Sequence, residues 1–159
     1  MKILGIDPGT RVTGYGVVEK RNNSLVHIMH GEIRQSGKAP LSTCLVKIYN
    51  DLLEIIGDSL PDAIAIEDIF YGSNIKSLIK QGEARGIAIL AGSQRGIPIH
   101  EYSPLEVKKA VVGYGRAEKV QVQKMVKAIL HLSEVPSEDA SDALAVAICH
   151  IHFLKTVSM

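Results

Sequence analysis

Residues 2–9 read KILGIDPG, a short apolar run that ends on an acid and is followed by proline and glycine. The run has the length of a buried strand and is too short for a helix, and the Pro8-Gly9 pair predicts a turn directly after it. The pattern therefore predicts a buried strand whose last residue is Asp7. An acidic side chain in that position is a first candidate for a functional site.

A second apolar run, residues 63–66, has the same character and ends on Glu67. Buried strands of this kind are typical of parallel pairing inside an α/β sheet. Acids that end two such strands lie at the carboxyl edge of the sheet, where sites form in open α/β folds. Asp7 and Glu67 are therefore expected to lie close together. Asp68 follows Glu67, and its side chain is expected to point to the other face, so it is left out of the site.

Two further acids, Asp139 and Asp142, open an apolar segment that runs from Ala140 to Leu154. The segment is too long for a strand, and a spacing of three places both acids on one face of its first helical turn. The same face continues through a set of mostly apolar residues, Ala143, Val146, His150 and Phe153. It is therefore expected to pack against the rest of the molecule.

Carboxylates that are brought together repel one another, and keeping them ionised costs free energy unless a cation neutralises them. Oxygen ligands alone favour Mg²⁺, with Mn²⁺ as a substitute, and two ions about 4 Å apart can clamp the attacking and leaving oxygens of a phosphoryl displacement. We therefore predict a site for two Mg²⁺ ions formed by four acids, Asp7, Glu67, Asp139 and Asp142. Each acid taken singly is also explained as a helix cap or a solvated charge, and that alternative stays open.

The composition is that of an ordinary soluble domain, with 159 residues of which 46% are hydrophobic and 22% charged. Residues 1–159 are expected to form a single domain. No apolar run reaches transmembrane length and no signal peptide precedes the first strand, which predicts a cytoplasmic protein that does not bind membranes. Cys44 and Cys149 lie far apart in apolar patterns and are expected to be reduced packing residues.

The formal net charge of +1 hides an uneven distribution along the chain. Residues 71–130 hold ten Lys and Arg against four Glu and no Asp. This excess predicts a basic surface that can approach phosphates, with Lys76 among its members. Each lysine taken singly is equally explained as part of a solvated helix face.

The order of the expected elements indicates a mixed-sheet α/β fold. Turn signals, hydrophobic periodicity and a capping pattern at Ser103-Pro104-Leu105-Glu106 divide the chain between strands and helices. Strands are predicted at about 2–7, 12–19, 25–34, 63–67 and 97–102. Helices are predicted at about 40–60, 74–93, 104–112, 118–131 and 140–154. These elements form a five-stranded mixed sheet that is flanked by helices.

Several segments resemble the RuvC family of Holliday-junction resolvases, in order and at the spacing of that family, from about residue 1 to residue 150. One motif, Asp-Pro-Gly-Thr, is weak on its own, whereas the ordered set is specific. The segments are 5–14 (GIDPGTRVTG), 67–70 (EDIF), 81–86 (QGEARG), 107–113 (VKKAVVG), 117–119 (AEK) and 139–145 (DASDALA).

The resemblance implies a ribonuclease H-like fold and a homodimer that nicks two strands of a four-way DNA junction in recombination and repair. In the family pattern, the four acids match metal-binding carboxylates. Phe70 matches an aromatic residue that contacts bases, and Lys108 and Lys119 match lysines that face the DNA. Lys119 is the best candidate for stabilising charge at the scissile phosphate. The family also implies the branch-migration proteins RuvA and RuvB as partners.

Two other functions stay open on the sequence alone. The segment 7–10 (DPGT) also resembles the phosphate-binding loop of sugar kinases and actin-like ATPases, although those proteins close two such domains around ATP. A module that recognises branched DNA without cutting it is the other alternative, and nicking that depends on a divalent ion distinguishes it from a nuclease.

Smaller features carry alternatives of their own. Phe70 and Tyr71 either stack on an unpaired base or pack against the following helix. The segment 149–152 (CHIH) contains metal-binding residue types, but neighbours two apart on a helix diverge, which favours core packing over zinc. The dimer interface is guessed on the helix after Asn74, whose small residues are expected to pack on a second copy or on the sheet.

Overall fold

The computed structural model of the protein describes residues 1–69 and 74–157, with side chains to residue 154. The strands of this part are β1 (Lys2–Asp7), β2 (Val12–Arg21), β3 (Ser24–Arg34), β4 (Ala63–Glu67) and β5 (Ile99–Tyr102). The helices are α1 (Leu41–Ser59), α2 (Ile75–Gln94), α3 (Pro104–Val112), α4 (Lys119–Ile129) and α5 (Glu138–Val157). None of the helices in this part is long and apolar enough to cross a membrane.

The strands form one sheet in the order β3-β2-β1-β4-β5. β1 to β3 form an antiparallel meander, whereas β4 pairs parallel with β1 and β5 pairs parallel with β4. The predicted mixed five-stranded sheet with flanking helices is therefore confirmed.

Most helices and strands begin and end within two residues of the positions predicted from local sequence signals. Ser103 caps α3 in a full capping box with Glu106, and Gly113 ends that helix in the left-handed conformation. The last helix begins at Glu138, two residues before the predicted start, so both Asp139 and Asp142 lie inside its first turns.

The two faces of the sheet bury different side chains because successive residues of a strand point to opposite sides. Leu4 and Ile6 of β1 face α1 and α2, in a core that also contains Ile64 and Ile66 of β4. The opposite face packs against α3, α4 and α5, and it contains Ala63 and Ala65 of β4. The acids that end β1 and β4 continue the second set, which we call the α5 face.

Helix α5 is buried on all sides through its middle, and every residue from 143 to 151 is buried. It lies on the sheet and is covered by α3 and α4. The predicted packing face of α5 is therefore only part of a wholly buried surface, and its last member, Phe153, is exposed.

The side chains of His150 and His152 contact different residues, as expected for two residues that are two positions apart on a helix. Nδ1 of buried His150 lies 2.7 Å from the hydroxyl of Tyr102, and Nδ1 of His152 lies 3.0 Å from the carbonyl oxygen of Ala110. Burial lowers the pKa of His150 to about 4, with His100 adding to the effect. Core packing therefore explains His150. Cys44 and Cys149 are both buried free thiols, as predicted.

Glycines in β1 and β2 let α5 approach the sheet more closely than any side chain would allow. A Cβ atom at Gly5 would overlap the carbonyl oxygen of Ala143 and lie 2.9 Å from its carbonyl carbon. At Gly16 a Cβ atom would lie 2.6 Å from Cγ of Leu144. The backbone of α5 therefore rests directly on the end of the sheet that carries the acids.

Gly5→Ala is expected to lower the free energy of unfolding by about 3 kcal/mol, because the new methyl group meets helix backbone that cannot move aside. Gly57→Ala in α1 is the matched control, since nothing lies within 4 Å of its added Cβ atom and alanine favours the helix. Denaturant titrations of both variants measure the difference. Equal stability of the two variants would contradict the close approach of α5.

Candidate active site

The ends of β1 and β4 place two acids side by side on the α5 face. The parallel register pairs Gly5 with Ala65 and Ile6 with Ile66, so the next residues along the two strands, Asp7 and Glu67, are neighbours. Both side chains are partly buried. The prediction that these two acids meet at the carboxyl edge of the sheet is therefore confirmed by the register.

The first turns of α5 bring the other two acids to the same place. Asp7 pairs with Gly14 of β2, and a Cβ atom at Gly14 would overlap the carbonyl group of Asp139 and lie 3.1 Å from its Cβ atom. The helix therefore begins directly over the end of β1. Asp142, one turn further along, also acts on Asp7, and it is the strongest charged influence on the pKa of that residue.

The pKa values show that the acids form one electrostatic unit. Burial raises the pKa of Asp7 to about 8, and the charges of Asp142, Glu67 and Asp139 add to this effect. Burial and then Asp142 raise the pKa of Glu67 to about 7. Burial also raises the pKa of Asp142 to about 6, although Lys119 opposes the shift.

Asp139 lies at the edge of this unit. Burial raises its pKa, and the next cause is the charge of Glu32, a residue of β3 that the sequence analysis did not select. Glu138 of α5 acts in the same direction.

The donor set fits a hard divalent cation. Four carboxylates converge in a partly buried place, and burial is the main cause of their raised pKa values, to which the charges of neighbouring acids add. Among residues 1–69 and 74–157, no three acidic, histidine or cysteine side chains enclose a common point at metal-ligand spacing.

Two lysines border the acids, as the resemblance implies. An open cavity of about 220 Å³ is lined by Glu67 and Asp142 together with Lys108, Lys119 and apolar residues of α3 and α4. Nζ of Lys119 lies 3.7 Å from Oδ2 of Asp142 and also pairs with Glu138. The hydrogen bond to Glu138 is the main cause of the raised pKa of Lys119.

A second groove, of about 670 Å³, meets the acids on their other side at Asp139. It is lined by the loop after β1, the loop after β3 and the first turns of α2, and it contains Arg11 and Lys80. A larger cavity of about 890 Å³ lies between the β2–β3 turn and the end of α4, and none of the four acids lines it. We therefore place the candidate site by its acids and not by cavity size.

The remaining predicted residues lie around this centre. Lys76 is exposed on the first turn of α2, in the same turn as residues that line the second groove. Phe70 lies outside the described residues. Asp68 is exposed, and its Oδ1 lies 3.5 Å from Nη2 of Arg85 on α2. Asp68 thus turns toward the opposite side of the sheet from Glu67, as alternation predicts.

Two acids near the site were missed on the sequence. Glu138 is exposed beside Lys119, and only its place one residue before Asp139 could have suggested it. Glu32 belongs to a strand pattern with Arg34 two residues later, which reads as an ordinary solvent-facing ion pair. The pairing of β3 with β2 decides where Glu32 lies.

This chain is similar to known proteins over nearly its whole length. The family described as "Crossover junction endodeoxyribonuclease RuvC" matches residues 3–150. A protein of that name from Syntrophotalea carbinolica is 55% identical over 152 residues, which cover 96% of this chain and 94% of the relative. This chain belongs to the RuvC family. A further RuvC relative, from Caldanaerobacter subterraneus, is 51% identical over 153 residues and covers 96% of this chain and 93% of the relative.

Solved structures agree with this membership. Thermus thermophilus RuvC in complex with a Holliday junction substrate has a TM-score of 0.93 at 31% identity, covering 99% of this chain and 97% of that chain. The yeast mitochondrial Holliday junction resolvase has a TM-score of 0.68 at 11% identity, covering 98% of this chain and 81% of that chain, and shows a shared fold. The ribonuclease H-like architecture expected from the resemblance is therefore confirmed. The RuvC family is one of endonucleases, which favours cleavage over the kinase-like alternative.

Proposed function

We propose that this protein resolves Holliday junctions by hydrolysing one phosphodiester in each of two like-polarity strands, in recombination and repair. The convergence of Asp7, Glu67, Asp139 and Asp142 at one edge of the sheet carries the proposal. Membership of the RuvC family supports it, as does the likeness to a relative solved with a Holliday junction substrate.

The four acids hold divalent cations in this proposal, with Asp7 at the centre of the set. Asp7 has that place because the charges of all three other acids act on it. Two ions of the Mg²⁺ or Mn²⁺ class suit a set of carboxylate oxygens on both sides of Asp7. When bound, such cations supply electrophilic stabilisation at the phosphate and make a water more acidic.

The protein itself positions the reacting groups. Hydrolysis adds the oxygen of water to phosphorus and breaks the bond from phosphorus to one sugar oxygen, which takes up a proton. The nick then carries a phosphate on one end and a hydroxyl on the other, and no covalent enzyme intermediate is required. The edge formed by β1, β4 and α5 holds the backbone of the four acids in place, so their carboxylates start close together.

Lys119 and Lys108 contribute positive charge at the border of the site. Lys119 stays protonated because Glu138 and Asp142 raise its pKa, and it lines the same cavity as Glu67 and Asp142. Once cations neutralise the acids, this ammonium group is available to a phosphate oxygen. Lys108 lines the same cavity and serves the same purpose, and after Lys119 its charge is the next to lower the pKa of Glu67.

The two grooves give the DNA strand a path across the acids. One groove presents Lys108 and Lys119, and the other presents Arg11 and Lys80, so both sides of the acidic centre offer positive charge. Lys76 extends the second side on α2. A strand whose scissile phosphate lies at the acids is then held by phosphate contacts on both sides. Phe70 is proposed as the base contact on the strength of the family pattern.

Paired nicks require two sites at a fixed distance, which an isologous dimer provides. Helix α2 supports this part of the proposal, because no part of the chain that the structure describes covers an apolar stripe on its outer surface. Its members are Ile75, Ile79, Gly86 and Leu90. A Cβ atom at Gly86 would meet nothing within 4 Å, whereas Ala84 and Ala88 are fully buried toward the sheet. Ala84 and Ala88 belong to the core between α1, α2 and the sheet, so the opposite side of α2 is proposed as the dimer face.

Ile79→Glu is expected to weaken the dimer by about 2 kcal/mol or more, because it places a charge in the centre of an apolar interface. Light scattering at low concentration measures the dimer and monomer fractions. Val46→Glu on α1 is the control, since Val46 is 59% exposed and Ile79 is 57% exposed. An unchanged dimer in Ile79→Glu would place the interface elsewhere.

The direct test of the function compares a synthetic four-way junction with a linear duplex, each with and without Mg²⁺. Symmetric nicks in the junction alone, and only with the divalent ion, are expected. Junction binding without nicking under every condition would favour the module that recognises branched DNA by shape. Tight ATP binding without nuclease activity would favour the kinase-like alternative.

Three further parts of the proposal rest on the family pattern. RuvA and RuvB are the expected partners at the junction, and binding of the purified proteins to a shared junction tests this. A cytoplasmic location is expected with them. Residues 1–159 are proposed to act as one nuclease domain, which is supported by the single sheet that both hydrophobic clusters share.

A further inference from the structure

One level of the sheet carries a row of residues that all face α5. Asp7 pairs with Gly14, and Gly14 pairs with Glu32, while Glu67 lies beside Asp7 on its other side. Residues that are paired directly across neighbouring strands point to the same face. Glu32 therefore shares the face and the level of the two acids that end β1 and β4, separated from Asp7 by a residue without a side chain.

Because Gly14 has no side chain, α5 can occupy the space between Asp7 and Glu32. A Cβ atom at Gly14 would lie 3.1 Å from the Cβ atom of Asp139, so the side chain of Asp139 begins directly above this gap. Glu32 is consequently the acid from β3 that faces Asp139. Its charge is, after burial, the main influence on the pKa of Asp139, which agrees with this placement.

Only one of the two carboxylate oxygens of Glu32 has a partner among the described residues. Its side chain is 11% exposed, and one carboxylate oxygen pairs with Arg34. The other oxygen, Oε1, is buried and has no hydrogen-bond partner among the described residues. A buried carboxylate oxygen without a partner is destabilising, and such groups call for an explanation.

A divalent cation beside Asp139 would place a compensating positive charge near this oxygen. We propose that Glu32 is a fifth acidic residue of the site, whose negative charge beside Asp139 strengthens binding of a hard divalent cation, while Arg34 limits its charge. The inference rests on the proposed function and adds a residue to it. Glu32 is not proposed as a ligand, because a nearby negative charge attracts a cation without touching it.

Arg34 allows a test in which two substitutions are expected to shift the ion affinity in opposite directions. Glu32→Gln keeps the shape and removes the charge, so the dissociation constant for Mn²⁺ or Mg²⁺ is expected to rise about tenfold. Arg34→Gln leaves the charge of Glu32 without its partner, so the dissociation constant is expected to fall about threefold, on the scale of a screened surface charge. Both constants are measured without DNA, by calorimetry and by the shift of the unfolding temperature with ion concentration.

The chain contains a matched control in Glu19→Gln. Glu19 pairs with Arg21 at the same spacing of two residues, on β2, and its pair lies toward the β2–β3 turn and away from Gly14. Ion affinity in Glu19→Gln is expected to equal that of the unaltered protein.

Opposite shifts in Glu32→Gln and Arg34→Gln support the inference. An unchanged affinity in Glu32→Gln, or shifts in the same direction for both variants, would overturn it, because a merely structural ion pair loses the same thing from either side. If Glu32→Gln does not fold, Arg34→Gln decides alone, since the side chain of Arg34 is largely exposed. Normal junction cutting with unaltered ion affinity in Glu32→Gln removes only this inference, whereas ion binding without any cutting by the unaltered protein removes the proposed function.

Discussion

Asp7→Asn is expected to reduce junction cleavage by about a thousandfold or more while junction binding is retained. Asparagine keeps the shape of the side chain but removes the charge at the centre of the acidic set, where the other three acids act on Asp7. The remaining acids then hold divalent cations poorly and in the wrong arrangement. The basic residues of the two grooves are untouched, so the DNA still binds.

Binding and cleavage are measured on one preparation with the same synthetic four-way junction. Asp68→Asn is the matched control, because Asp68 also follows β4 but pairs with Arg85 of α2. That variant is expected to cut normally. Cleavage by Asp7→Asn within about tenfold of the unaltered protein would exclude the proposed role of Asp7. Loss of binding together with cleavage would indicate damage to the fold.

The stability of the protein without divalent ions is expected to fall as the pH rises from about 6.5 to 8, and added Mg²⁺ is expected to restore it. The folded protein holds protons on Asp7 and Glu67 at pH values where the unfolded chain has lost them, because their pKa values are raised to about 8 and about 7. The folded state therefore binds more protons than the unfolded state in this interval. Stability must then decrease with rising pH.

The pH dependence of stability has the same sign for each acid whose pKa is raised. Its contribution is fully present below the ordinary pKa of a carboxyl group and is lost as the pH passes through the folded value. His150 works in the opposite direction, because its pKa is lowered to about 4, but it is neutral in both states above its ordinary value of 6.5. Between about pH 6.5 and 8 the acids therefore change the stability, whereas His150 does not.

Thermal unfolding in a chelator and in Mg²⁺, at both ends of this interval, measures the effect. An ion concentration of about 100 times its dissociation constant stabilises the folded state by about 2.7 kcal/mol. Asp7→Asn is expected to flatten the pH dependence in the chelator and to reduce the response to Mg²⁺. A stability that rises with pH in the chelator would contradict the raised pKa values of the acids.

Much of the fold follows from local signals that this sequence states clearly. Two short apolar runs that end on Asp7 and Glu67 predict buried strands, and their register then sets the two acids side by side. The capping residues at Ser103 and Glu106 place the start of α3 to the residue. Such signals are local, because a strand end or a helix cap depends on a few consecutive residues.

Tertiary packing decided the depth of α5. The helical period of residues 140–154 predicts a helix with one packing face, but α3 and α4 cover its outer side. A helix that is apolar all round shows no preferred face in its sequence. The close approach of α5 is likewise decided at Gly5 and Gly14, whose importance appears only when another element lies against them.

The place of Glu32 depends on a single irregularity in the sheet. Near the β2–β3 turn, Val18 pairs with His27, yet the next pair along is Val17 with Met29, because β3 carries one extra residue in a bulge. Without that bulge, Gly14 would face Gly31, and Glu32 would lie opposite Thr13, on the face of the sheet that covers α1. A shift of one residue turns every side chain of a strand to the other face. The sequence alone therefore determined the elements, the two acids that end β1 and β4 and the two acids in the first turns of α5. The place of Glu32 was decided by pairing between strands, which no local pattern records.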